Sequence, residues 1–213
     1  MSHPASNCPN CGAPVQFVWS GAVQTVCPFC KSILVREDVD LRKVGEVADL
    51  PADASPIQIR TEGIFKNKAF FIAGRIVYEY AQGGWNEWHA VFNDGSSGWI
   101  SDAQSEYDVS FLVPKPAAPL PRSGQVYRGK EYMLEHETFF VTSVTQARYL
   151  GVEGDLPFQY WDKADVTFAD FRSPAGRFGT IDYTEDPPLL YVGEPVEFEE
   201  LHFKNLRQFE GWK

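Results

Sequence analysis

Four cysteines constrain this chain more than any other feature. They stand at Cys8, Cys11, Cys27 and Cys30 in the spacing C-x2-C-x15-C-x2-C, and no cysteine follows. Each C-x2-C pair bends tightly enough for both sulfurs to reach one ion, and Gly12 supplies the permissive turn after the first pair. Four thiolates on one zinc ion make a closed tetrahedral site with no open position, which stabilises a fold rather than performing chemistry. Two disulfides or a rubredoxin-like iron site are the rival readings. The N-terminus MSHPASNCPNC has no basic stretch followed by an apolar one, so no secretory signal is read. A reducing, cytoplasmic compartment follows, and it favours metal over disulfides.

Between the pairs, Val15, Phe17 and Trp19 alternate with polar positions, Ser20-Gly21 turns, and Ala22–Val26 returns to the second pair. Ile33-Leu34-Val35 supplies a third short strand. Residues 1–36 therefore resemble a zinc ribbon. So short a module cannot build its own core, and metal binding would supply most of its folding free energy, on the order of 10–16 kcal/mol in small zinc-finger peptides. Its only basic side chains are Lys31 and Arg36, and four thiolates on Zn²⁺ carry a charge that nearly cancels them. Nucleic-acid binding is disfavoured on that ground, and disfavoured again by the net charge of −10 over the whole chain. A docking or self-association role suits the ribbon better. No apolar run is long enough to span a membrane.

Residues 37–56 are charged, carry Pro51 and Pro56, and read as a mostly extended tether, with Val44 and Val47 able to support one helical turn. From Ile57 the period becomes two, and residues 57–113 read as a first β module, an SH3-like or partly open barrel. Phe70, Ile72, Ile76, Tyr78 and Tyr80 are expected on one face of a strand, with Arg75 and Glu79 on the other. In the next strand Trp88, Ala90 and Phe92 are expected inward and Glu87, His89 and Val91 outward, ahead of an Asn93-Asp94-Gly95 hairpin. Residues 114–123 form a polyproline-like spacer that could also be a docking peptide. Residues 124–213 read as a second β module, with strands at 138–149, 165–171 and 177–183, a turn at 151–155, and an end that suits either a helical turn or a last strand. The fold class is mainly β: a zinc ribbon, then an antiparallel barrel-like domain in two halves.

The run Thr61-Glu62-Gly63, Gly74-Arg75-Ile76, Trp85-Asn86-Glu87-Trp88, Asp94-Gly95 and Gly98-Trp99-Ile100-Ser101, continued by Glu153-Gly154-Asp155-Leu156-Pro157 and Tyr191-Val192-Gly193-Glu194, resembles the bacterial family catalogued as domain of unknown function 4178. The resemblance covers roughly residues 57–200, and a zinc ribbon ahead of it is similar to the arrangement in some members. It implies a bacterial context and neighbours that include polyamine-synthase-like and small membrane proteins. It implies no catalytic residue.

The residues point to no reaction either. His3, His89, His136 and His202 are dispersed, and no nucleophile elbow, phosphate loop or histidine metal motif occurs. The tryptophans Trp85 and Trp99, with Glu87 and His89, are the candidate ligand or partner surface, since aromatic faces stack on cations and rings; core anchoring is the alternative. Glu194, Glu197, Glu199 and Glu200 read as a solvated acidic face, with a cation-binding rim as the other reading. The leading expectation is a non-enzymatic protein-interaction module holding one structural zinc. Binding of polyamines or similar cations is the first alternative.

Overall fold

The computed structural model describes residues 6–37, 40–47, 50, 55–159 and 165–209. His3 and Pro51 lie outside them. The N-terminal module opens with a hairpin of β1 (Ser6–Asn7) and β2 (Pro14–Val15), followed by a sheet of β3 (Gln24–Val26), β4 (Ser32–Glu37) and β5 (Asp40–Glu46) in that order. Strand β5 falls in the stretch expected to be a tether. It pairs along the whole of β4, from Ser32↔Glu46 to Glu37↔Asp40. An extended polar segment needs only a partner edge to become a strand, and β4, buried from Ser32 to Val35, offers one.

The rest is one antiparallel sheet: β6 (Glu62–Phe65), β7 (Lys68–Tyr80), β8 (Gly83–Phe92), β9 (Ser97–Ala103), β10 (Glu106–Leu112), β11 (Glu131–Leu134), β12 (Glu137–Gly154), β13 (Asp165–Arg172), β14 (Phe178–Asp182) and β15 (Leu189–Val196). Its order is β11-β12-β13-β14-β15-β10-β9-β8-β7-β6, and β12 also bonds β7. That last pairing closes β7-β8-β9-β10-β15-β14-β13-β12 into an eight-stranded ring and removes its edges. Both halves supply strands to it. The turn expected at 151–155 is absent up to Gly154, because β12 runs on and pairs Gly151–Gly154 with Val77–Gly74.

Closure gives each ring strand two buried faces, which changes the expected directions. In β8, Trp88, Ala90 and Phe92 sit on the outer wall, in a cluster with Ile57, Phe70, Ile72 and Ile100. The C-terminal segment covers that cluster through Leu201, Phe198 and Phe203, with a 3-10 turn at Phe198–Leu201. Glu87 faces the ring interior instead of solvent, and His89 is completely buried. Nor do the five apolar residues of β7 share a face. A bulge at Ala73 shifts the register, so Phe70 and Ile72 pack outside while Ile76 and Tyr78 pack inside. Arg75 is thereby carried to the outer wall, over the Trp88 ring at 4.8 Å. A bulge at Thr142 does the same in β12, sending Phe139 and Val141 outward and Ser143 and Thr145 inward. Val113, Leu120 and Val126 of the proline-rich region cover that second outer face. Among the described residues there is no α-helix, and no helix long and apolar enough to cross a membrane.

Candidate functional site

The hairpin β1–β2 and the turn before β4 bring the four cysteines together. Their sulfurs all lie within 4.8 Å of one another, with Cys8–Cys30 at 3.6 Å and Cys11–Cys27 at 3.8 Å. A disulfide would bring two sulfurs to about 2.05 Å. Tetrahedral bonds of about 2.3 Å to one ion place thiolates roughly 3.8 Å apart, and the cluster fits that spacing. It is consistent with a zinc ribbon. Around it, only Cys8, Val15, Cys27 and Leu34 form a buried core.

The ribbon is held to the ring by the 155–156 segment. The Asp155 carboxylate accepts the Val18 amide at 2.7 Å, the Trp19 amide at 3.0 Å and the Thr25 hydroxyl at 2.7 Å. Leu156 exchanges backbone bonds with Gln24, donating at 2.9 Å and accepting at 3.2 Å. The segment lies so close to β7 that a Cβ at Gly74 would overlap the Asp155 carbonyl oxygen. Trp19 meets His89 edge-on at 5.0 Å, and His89 in turn packs on Trp99 at 5.1 Å. Burial lowers the His89 pKa to about 4.

Inside the ring lies a cavity of about 410 Å³, within the range of small-molecule sites. All eight ring strands line it, among them Tyr78 on β7, Trp85 and Glu87 on β8, Trp99 and Ser101 on β9, Asp108 and Ser110 on β10, Tyr191 on β15, Thr180 and Asp182 on β14, Phe168 and Asp170 on β13, and Ser143 and Thr145 on β12. One wall is aromatic. Trp85 stacks on Tyr78 at 4.9 Å and meets Phe168 edge-on at 5.6 Å, and Phe158 packs on Trp99 at 5.8 Å. The opposing polar groups are mostly acids. Glu87 accepts Ser101 Oγ at 2.9 Å on both oxygens and Trp85 Nε1 at 2.9 Å. Asp170 accepts Ser143 Oγ at 2.7 Å. Asp108 takes both terminal nitrogens of Arg172, at 2.6 and 3.0 Å. Burial pushes Glu87 up to about 8 and raises Asp170 and Asp182 above the ordinary carboxylate range, with neighbouring acids adding to the rise.

Of the four residues singled out beside the cysteines, the structure gathers Trp85, Glu87 and Trp99 on the cavity wall and seals His89 behind Trp99. Sequence reasoning missed Asp108, Asp170, Asp182 and Arg172. Their signal was present as polar residues alternating with apolar ones in β10, β13 and β14, which is indistinguishable from a solvent-facing edge until the ring closes. In the acidic run, Glu194 pairs with Lys66 at 2.6 Å while Glu197, Glu199 and Glu200 are exposed.

A family model described as Domain of unknown function (DUF4178) matches residues 58–198, a span that contains every strand of the ring. No curated protein and no solved structure matches the chain.

Proposed function

The chain belongs to the DUF4178 family, and from its cavity we propose that it is a non-enzymatic binding protein whose barrel holds a small organic cation, with a structural zinc in the ribbon. One observation carries the reading: the cavity wall sets four carboxyl groups and a cluster of aromatic rings against a single guanidinium, itself engaged by Asp108. Carboxylates supply the opposite charge, and aromatic faces attract cations most strongly where water is excluded. Titration calorimetry with spermidine and with benzyltrimethylammonium tests it. One equivalent should bind per chain, and binding should persist at high salt because an enclosed site is poorly screened. Asp170→Asn should weaken it about tenfold, the scale of a lost buried charge contact. Heat that disappears on adding salt, or that ignores Asp170→Asn, would assign the interaction to the acidic exterior and sink the reading.

A second reading, in which the ribbon docks a protein partner or a second copy, is supported by Phe29, which stands 67% exposed between Cys27 and Cys30. Pull-down from a native host with wild type and Phe29→Ala tests it: a partner recovered equally by both would remove the ribbon tip from the interaction.

A further inference from the structure

The cavity holds more acid than its surroundings can neutralise. Resting on the cation-binding reading above, we propose that a cation enters the barrel by exchange for protons carried on Glu87 and Asp170, so that binding releases acid and tightens as pH rises.

The geometry carries this. Glu87 on β8 and Asp170 on β13 stand three strands apart around a closed ring and act on one another across the cavity, with Asp108 acting on both. The hydrogen-bond donors that reach them are neutral: the Ser101 hydroxyl and Trp85 indole for Glu87, the Ser143 and Thr180 hydroxyls for Asp170. Among the described residues, the cavity wall carries one permanent cation, Arg172, and both its terminal nitrogens are committed to Asp108. The remaining titratable groups on the wall are Asp182 from β14, Glu106 from β10, Tyr78 and Tyr80 from β7, and Tyr191 from β15, none of which brings positive charge. No lysine or histidine lines it among those residues. Ionised together, three of the four wall carboxyls Glu87, Asp108, Asp170 and Asp182 would be uncompensated in an enclosed space. Burying charge without a partner is strongly unfavourable, so the empty barrel keeps protons instead. The raised position of Glu87, about 8, agrees with that.

An arriving cation reverses the preference. A carboxylic acid and an ammonium give a carboxylate–ammonium pair, and the proton passes to solvent buffer. One positive charge enters and one leaves, so the charge of the cavity does not change. The hydroxyl and indole donors already placed on Glu87 and Asp170 serve the carboxylate form, so no wall side chain has to move.

Benzyltrimethylammonium is the probe of choice, because it has no proton of its own to lose. Calorimetry of the full chain at pH 7 in phosphate and in Tris, which differ in ionisation enthalpy, should give different heats at equal affinity. The difference should correspond to about one proton released per cation bound. Between pH 6 and 7 the affinity should rise about tenfold for each proton exchanged. Glu87→Gln should remove about one proton from the count and flatten the pH slope, and Asp170→Asn provides the same comparison if the first variant does not fold. Equal heats in both buffers with binding intact would overturn proton exchange and leave the cation-binding reading standing. Absence of binding to wild type from pH 6 to 9 would overturn both. An unchanged proton count in both variants would overturn the assignment to these two acids.

Discussion

A single carboxylate, Asp155, fastens the metal module to the barrel. It is 1% exposed, and its two oxygens take two backbone amides and one hydroxyl from the ribbon. Burial pushes its carboxyl upward and those three donors pull it back. Replacing Asp155 by Ala leaves Val18 N–H, Trp19 N–H and the Thr25 hydroxyl without their acceptor in a site closed to solvent. At about 1–3 kcal/mol for each orphaned group, discounted for local relaxation, the loss should be about 3 kcal/mol. Urea unfolding of Asp155→Ala against wild type measures it. A change below about 0.5 kcal/mol, the size of an ordinary surface substitution, would mean that the Leu156–Gln24 backbone bonds alone hold the ribbon. The same residue explains a motif that the sequence displays without a reason: Gly74 and Asp155 lie far apart in the chain but in contact in space, and only glycine allows that approach.

At the scale of elements, the ribbon and the ring differ in what stabilises them. The ribbon has four buried core residues, two of them metal ligands, whereas the ring carries three separate apolar clusters. Cys8→Ser/Cys11→Ser should therefore abolish metal binding and unfold the ribbon while the barrel's β signal in circular dichroism survives. Elemental analysis should give one zinc per wild-type chain and none in the variant, and limited proteolysis should cut between Phe17 and Lys31 only in the variant. Metal-free wild type that resists cleavage there would show that docking on Asp155 and Leu156 suffices. The cysteine spacing made the ribbon legible because its constraint is local, and the period of two made the strands of the first half legible for the same reason. Ring closure was not legible, since the β7–β12 pairing joins segments about half the chain apart. Neither were the bulges. Ala73 looks like any other strand residue, yet it moves Ile76 and Tyr78 from the outer wall to the interior. The candidate surface was read correctly as a group at Trp85, Glu87 and Trp99, but its second half, from Asp108 to Asp182, depended on a closure that no short stretch encodes.

The whole molecule should feel the cavity's acids in its stability. Folded, Glu87 keeps its proton up to about pH 8, while the unfolded chain gives it up near 4.5. Across that window the unfolded state binds fewer protons than the native one, so stability falls as pH rises. Asp170 and Asp182 are pushed the same way. His89 acts in the opposite direction: held neutral to about 4 when folded but protonated near 6.5 when unfolded, it costs stability as pH drops below 6.5. The two tendencies oppose one another between 4.5 and 6.5, and above that only the carboxyls remain. The ligand-free protein should therefore be most heat-stable at about pH 6 and should lose stability towards pH 8. Thiolate ligation to zinc strengthens with pH and pulls the other way, so the informative comparison is Glu87→Gln against wild type at equal metal loading. The variant should show a shallower alkaline decline. Saturating benzyltrimethylammonium should flatten the wild-type decline as well, because the bound cation stabilises the ionised form that high pH produces. A wild-type melting temperature that climbs steadily from pH 6 to 8, with Glu87→Gln parallel to it, would mean that the cavity acids are already ionised in the empty barrel, and that the interior holds its charge by some means other than protons.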